Sequence, residues 1–173
     1  VMKKILIIGL VSLFTIGCST TSGLNPHTAK SNFDGVKSVA IVPHGAACKS
    51  MVCPMLGATW LDDQPDNVGL TVQLLNEIAN IHSVSFNIDG EIISLKPLGL
   101  TRFDQAAGSN YSQATMVTSY SVLTKILQSK RTWMKVSTSK GAHEVAVVDG
   151  TVDSKAFNAI KRFDAQVKEA SAK

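Results

Sequence analysis

The stretch SVSFNIDGEIISL, residues 83–95, carries the clearest structural signal in the chain. Val84 and Phe86 alternate with polar residues, and a period of two places every second side chain on one face of a β-strand. Asp89 and Gly90 follow, and an Asp-Gly pair favours the positive φ angles of a two-residue hairpin turn. The stretch therefore predicts a β-hairpin, and turn chemistry rather than a functional carboxylate explains Asp89.

Further strands are predicted on both sides of this hairpin, because β-branched or alternating segments recur along the chain. These segments are VKSVAIVP (36–43), MLGATWL (55–61), VGLTVQLL (68–75), ATMVTSY (114–120) and a second hairpin, TWMKVSTSKGAHEVAVVD (132–149). With the first hairpin they predict about seven to nine strands.

Two helices are predicted from apolar residues at helical spacing. The first is the short internal segment SVLTKILQSKR (121–131), and the second is C-terminal, with Ile160 and Phe163 on its apolar stripe and Asp153 as its candidate N-cap. The predicted fold class is mostly β (α+β), an antiparallel β-sandwich or partly open barrel with these two helices. The aromatic residues expected in its core, rather than on a binding surface, are Trp60, Phe86, Trp133 and Phe157.

The first residues have the anatomy of an export signal. Lys3 and Lys4 precede a largely apolar run over 5–16, which Gly17 and Cys18 follow. A positive region, an apolar region and a small-residue processing site in this order predict a signal peptide. The apolar run is shorter than the roughly 20 residues that a membrane-spanning helix needs.

The segment TIGC (15–18) resembles the lipobox of bacterial lipoproteins. The resemblance implies that Cys18 is diacylated and begins the mature protein, and that Ser19 directs it to the outer membrane. The folded part would then face the periplasm or, alternatively, the cell surface. The expected organisation is a signal peptide over 1–17, a lipidated N-terminus with a flexible polar linker over 18–32, and a single β-rich domain over 33–173.

The charge balance argues against a nucleic-acid partner. The chain has 17 Lys and Arg residues and 13 Asp and Glu residues. Without Lys3 and Lys4, which belong to the predicted signal, 15 basic residues remain and the net charge is +2. So small an excess of positive charge does not indicate a nucleic-acid-binding surface. The expected partners are the membrane, through the lipid, and a protein of the envelope.

Cys48 and Cys53 are the two cysteines that remain if Cys18 carries lipid. An even remainder in an exported chain predicts a disulfide. One alternative is a zinc site that includes His44, although structural zinc needs four ligands. The other alternative is a redox pair, which usually has the closer C-x-x-C spacing.

Binding residues are expected on loops, because loops held by a rigid scaffold carry much of protein function. Residues 97–113 predict a long surface connection, and the cysteine pair predicts a closed loop. The candidate binding residues in these two segments are Lys49, Ser50, Met51, Arg102, Phe103 and Tyr111.

The sequence contains no familiar catalytic or phosphate-binding motif. G-x-S-x-G, H-E-x-x-H and the glycine-rich phosphate loops do not occur. His143 and Glu144 are best explained as a polar strand edge, and the aspartates of DDQPDN (62–67) as a solvated turn. No catalytic residue, metal site or cofactor is therefore expected.

The order helix, strand, turn, strand, helix over 121–163 is similar to the C-terminal part of the invasion-associated locus B family. This resemblance implies a periplasmic β-rich domain without known catalysis. The expected function is a non-enzymatic, lipid-anchored envelope protein with a binding domain. One alternative is a protective or inhibitory lipoprotein acting against a lytic enzyme, phage or toxin. The other is a hydrolase of envelope polymers with a dispersed site.

Overall fold

The computed structural model describes residues 24–106 and 108–172. Within them the chain forms eleven strands and two helices. In chain order these are β1 (His27–Lys30), β2 (Lys37–Gly45), β3 (Cys53–Leu61), β4 (Asn67–Leu75), β5 (Ile81–Ile88), β6 (Glu91–Leu95), β7 (Arg102–Ala106), β8 (Ser109–Ser119), α1 (Tyr120–Gln128), β9 (Arg131–Thr138), β10 (Gly141–Asp149), β11 (Val152–Asp153) and α2 (Lys155–Ser171). The predicted β-rich α+β fold class is confirmed.

The strands form two antiparallel sheets whose members are interleaved along the chain. Sheet A has the order β1-β2-β3-β4-β8-β7 and curls into a half-barrel, and sheet B has the order β11-β10-β9-β5-β6. Helix α2 packs against β2 and β3, while α1 packs against α2, β4 and β8. The chain therefore leaves sheet A after β4, returns to it for β7 and β8, and then completes sheet B.

The hairpin predicted from residues 83–95 is formed by β5 and β6. Asp89 has a φ of +49° and Gly90 a φ of +101°, the positive angles that an Asp-Gly turn supplies. The Asp89 carboxylate also accepts the backbone N–H groups of Lys130 at 3.2 Å and Arg131 at 2.8 Å. The turn residue thus also fixes the hairpin to the start of β9.

One hydrophobic core joins the two sheets and α2. The alternation in β4 buries Val68, Leu70, Val72 and Leu74, each no more than 1% exposed. Phe163, on the apolar stripe of α2, is fully buried in the same core. Local periodicity therefore identifies the buried face of both a central strand and the long helix.

Tyr120 links the two helices. Its hydroxyl donates a hydrogen bond to Asp164 Oδ1 at 3.0 Å. Partial burial raises the pKa of Tyr120, and the hydrogen bond and negative charge of Asp164 raise it further. The phenol therefore stays protonated and keeps donating to α2 at ordinary pH.

The N-terminal boundary of the folded part differs from the expected one. Leu24 is 1% exposed, and β1 pairs with β2 from His27 to Lys30, so part of the segment expected as a flexible linker is ordered. The Arg162 guanidinium on α2 donates to the Leu24 carbonyl oxygen at 3.4 Å. The composition of residues 24–30 is polar and indicates a linker. Pairing of β1 with β2 and burial of Leu24 nevertheless attach this segment to the domain. The predicted signal peptide and Cys18 lie outside the described residues.

The long surface connection predicted over 97–113 is also corrected. This segment contains β7 and the first half of β8, which pair with each other from Arg102 opposite Gln113. Three short strands, β1, β7 and β11, have no counterpart among the predicted strands, and all three lie at sheet edges. Edge strands bury little side-chain surface, so their sequences carry little of the alternation that reveals a strand.

Ser154, rather than Asp153, caps α2. The Ser154 hydroxyl accepts the N–H of Phe157 at 3.1 Å and donates to the carbonyl oxygen of Val147 at 2.6 Å. Asp153 belongs to β11 and lies one position too early. The buried serine satisfies a helix N–H and also attaches the start of α2 to β10.

Strand β2 bulges toward β3 at Gly57. The pairing register of β2 with β3 shifts between Ile41 and His44. A Cβ atom at Gly57 would lie 2.6 Å from the Ile41 carbonyl oxygen and 2.7 Å from the Pro43 nitrogen. The close approach of two backbones therefore requires glycine at this position.

Candidate functional site

The predicted disulfide closes the loop between β2 and β3. Cys48 and Cys53 are joined, with their Cα atoms 5.7 Å apart. Lys49, Ser50 and Met51 lie in this loop, as expected, and Met51 is 87% exposed. The same connection reaches sheet B, because the Ala47 N–H donates to the Ala146 carbonyl oxygen of β10 at 2.9 Å. The closed loop therefore borders both sheets.

Asn76 places this loop beside the β7–β8 hairpin. Its side-chain amide donates to the Met51 carbonyl oxygen at 3.2 Å, and its backbone N–H donates to the Asn110 carbonyl oxygen at 2.8 Å. Asn76 adopts a φ of +64°, which asparagine tolerates better than most residues. Two segments predicted separately as binding loops thus meet at one end of sheet A.

Arg102, Phe103 and Tyr111 lie on strands and not on a loop, which corrects their predicted setting. Arg102 and Phe103 belong to the edge strand β7, and Tyr111 belongs to β8. Arg102 Nη2 lies 3.6 Å from Asp104 Oδ2 in an exposed ion pair, and such pairs contribute little. Phe103 is 50% exposed. Arg102 and Phe103 therefore lie at a sheet edge, whereas Tyr111 lies on β8 between β4 and β7.

Glu77 and His143 form a second polar cluster near the disulfide loop. Glu77 Oε1 lies 3.1 Å from His143 Nε2 and accepts the Thr138 hydroxyl at 3.4 Å. The Glu77 carbonyl oxygen accepts the Ser112 hydroxyl at 2.7 Å. The cluster therefore fastens the crossover between β4 and β5 to both sheets. Its members are separated by as many as 66 residues in sequence.

His44 is not part of a metal site in the described structure. Across residues 24–106 and 108–172, no three His, Cys, Asp or Glu side chains come together as a metal-binding group. His44 Nε2 is buried and has no hydrogen-bond partner. Burial lowers the pKa of His44, and the nearby positive charge of Lys155 lowers it further. The imidazole is therefore held neutral.

The lowered pKa of His44 predicts a loss of stability in acid. The unfolded chain takes up a proton near pH 6.5, whereas the folded chain resists protonation until lower pH, so the free energy of unfolding falls as the pH drops below about 6.5. Urea denaturation at pH 7.5 and 5.0 should show a smaller drop for His44→Gln than for the wild type. His82→Gln, at an exposed position, is the control and should keep the wild-type drop. Equal drops for the wild type and His44→Gln would contradict this expectation.

A concave feature lies on the outer face of sheet B. It is a groove of about 590 Å³, within the usual size range of small-molecule sites. Trp133 of β9 lines it opposite Asn87 of β5, which in turn lies opposite Ile92 of β6. We call this feature the sheet-B groove. Its remaining lining includes Ser85, Arg131, Lys135, Ser137 and Glu144.

Trp133 is therefore not a core residue, which corrects its predicted position. Its ring is half-buried on the outer face, while Thr132 and Met134 on either side point into the core. Trp60, Phe86 and Phe157 are buried as predicted. The alternation in RTWMKVST (131–138) contains the signal that identifies the groove, because Trp133 shares its parity with Arg131 and Lys135.

The charged groups of the sheet-B groove are paired across strands. Lys135 Nζ lies 3.0 Å from Glu144 Oε1, and Arg131 Nε lies 3.5 Å from Asp149 Oδ2. All four side chains are between 37% and 63% exposed. Glu144 lines the groove and Asp149 pairs with Arg131 from outside the lining, so each cation has a carboxylate partner and the groove offers both donors and acceptors.

Comparison with known proteins found no matching family model, no matching curated protein and no matching solved structure. Neither helix in the described part of the chain has the length and apolar character needed to cross a bilayer.

Proposed function

We propose that this chain is a non-enzymatic, lipid-anchored binding protein of the bacterial outer membrane that holds another envelope component in the sheet-B groove. The lipobox-like segment TIGC (15–18) supports the anchor, with Cys18 as the lipidated residue. The observation that carries the binding proposal is the groove itself, a concave surface around a half-buried indole. Half-buried tryptophan surrounded by polar side chains is typical of recognition surfaces.

The polar groups near the disulfide loop favour a structural role over catalysis. Glu77 and His143 are the pair that a hydrolase would use for proton transfer. Glu77 already accepts from Thr138, and its own backbone carbonyl is bound by Ser112. These contacts join strands at the sheet crossover, whereas the groove lies on the other face of β5 and β9. Binding is thus better supported than hydrolysis.

The proposal predicts that Trp133 governs attachment to the cell envelope. The full chain, purified in mild detergent, should sediment with washed envelope fragments from the bacterium that encodes it. Trp133→Ala should reduce the bound fraction by about tenfold, because a buried aromatic contact in the complex is lost. Sedimentation followed by immunoblotting measures both fractions.

The matched control is Phe33→Ala, which removes a 99% exposed aromatic side chain from the turn between β1 and β2. It should sediment like the wild type, and no soluble sugar or peptide should be released from the fragments. Failure of the wild type to sediment, or equal sedimentation of Trp133→Ala, would rule out the groove as the binding site. Release of soluble products would support the hydrolase alternative instead.

A further inference from the structure

The indole of Trp133 offers a ligand its carbon face and not its N–H group. The Nε1–H donates to Asp149 Oδ2 on β10 at 2.9 Å. Since this donor is already used, an incoming ligand gains dispersion and burial against a flat ring whose orientation is fixed. The C–H face of a pyranose ring is suited to such a surface, because it is nearly flat and carries no hydrogen-bonding group.

Arg131 lies over the face of this ring in the free protein. Its Cζ atom lies 5.6 Å from the centroid of the Trp133 ring. The Arg131 side chain is 63% exposed, and an exposed cation–π contact is weak. A sugar ring can therefore displace the guanidinium from the indole, and the displaced group still borders the groove as a donor to hydroxyl oxygens.

The polar lining matches hydroxyl groups better than it matches an anion. Glu144 accepts hydrogen bonds and Lys135 donates them, and their 3.0 Å ion pair presents both at one place. Ser85 hydrogen-bonds to Ser94 at 2.8 Å, which leaves further lone pairs at the groove wall. Sugar hydroxyls donate and accept, so they can satisfy such a mixed lining. A phosphate or carboxylate ligand needs an excess of cations, which paired carboxylates here cancel.

A purely apolar ligand also fits poorly. Covering Lys135, Glu144 and Asn87 without hydrogen bonds would desolvate charged and amide groups at a large cost. The groove is also open along the sheet, because Ile92 at one side is 68% exposed. An open groove accommodates part of a chain and does not enclose a single small molecule.

We propose that the sheet-B groove binds an uncharged saccharide chain, with one sugar ring stacked on the face of Trp133. The inference rests on the proposed function, since it names the ligand class of the same groove.

The test titrates the full chain in detergent with cellohexaose and chitohexaose, two uncharged saccharide chains, and with polygalacturonate as the anionic comparison. We expect saturable binding of at least one uncharged chain by calorimetry. Trp133→Ala should weaken that binding by about tenfold or more. The double variant Lys135→Gln and Glu144→Gln should change it by less than about threefold, because amides still donate and accept. Circular dichroism checks the fold of each variant.

A second measurement needs no change at Trp133. Trp60→Phe removes the buried indole, which is 3% exposed, and leaves Trp133 as the reporter. Its indole N–H resonance and fluorescence should shift with the same saturation curve as the calorimetry. Saturable binding of polygalacturonate alone, or no saturable binding of either uncharged chain, would overturn the saccharide proposal.

Protease treatment of the envelope fragments separates this inference from the proposed function. Saccharide chains survive the treatment, so wild-type sedimentation should persist and remain dependent on Trp133. If sedimentation occurs with untreated fragments and disappears after proteolysis, the ligand is a protein. The saccharide inference then fails, while the proposed envelope-binding function stands.

Discussion

Replacing Phe163 with alanine is expected to lower the free energy of unfolding by about 3–5 kcal/mol. Phe163 is fully buried, and it lies on the stripe of α2 that packs against β2 and β3. Truncation removes apolar area from the core and leaves a cavity that the rigid sheet can fill only in part. Equilibrium urea unfolding monitored by circular dichroism measures the loss.

Phe33 provides a matched control for the same chemical change. Its side chain is 99% exposed in the turn between β1 and β2. Phe33→Ala should therefore alter the free energy of unfolding by no more than about 0.5 kcal/mol. A loss below 1 kcal/mol for Phe163→Ala would mean that α2 is not an integral part of the core.

Gly57→Ala is expected to destabilise the domain by about 3 kcal/mol, at the upper end of the usual cost of overpacking. The added Cβ would meet the Ile41 carbonyl oxygen at 2.6 Å and the Pro43 nitrogen at 2.7 Å. Both atoms belong to the backbone, so no side-chain rotation relieves the contact. The β2 bulge would have to shift, and this shift would disturb the pairing of β2 with β3. Thermal and urea unfolding measure the effect.

Gly69→Ala is the control on the neighbouring strand β4. A Cβ at Gly69 would lie 3.4 Å from the Thr115 Cγ2 atom and 3.7 Å from the Thr59 carbonyl oxygen, which are ordinary contact distances. The variant should stay within about 1 kcal/mol of the wild type. Equal losses for the two glycine variants would show that close backbone approach is not the cause.

The sequence predicts those elements whose structure depends on residues close to one another in sequence. The β5–β6 hairpin follows from alternation and an Asp-Gly turn, and the buried face of α2 follows from helical spacing. The edge strands β1 and β7 are not predicted. Each forms by pairing with a neighbouring strand, and its own composition does not reveal that pairing. Cys48 and Cys53 are close in sequence, so their pairing is predictable.

The candidate site is less predictable than the fold. Glu77 contacts His143 only in the folded chain, because the connection after β4 lies beside β10, 66 residues later in sequence. Trp133 is expected on a core face of its strand, and this expectation is wrong. Its alternation with Thr132 and Met134 places it outside, together with two charged residues. The parity that Trp133 shares with these charged residues is therefore the sequence signal for the groove.

The interleaving of the two sheets has a consequence for how the domain folds. Sheet A joins β4 to β8, with Thr71 opposite Thr115, and sheet B joins β5 to β9, with Phe86 opposite Met134. Neither sheet can close until most of the chain is present, and closing such long loops slows folding. A half-synthesised chain therefore lacks a partner for its central strands.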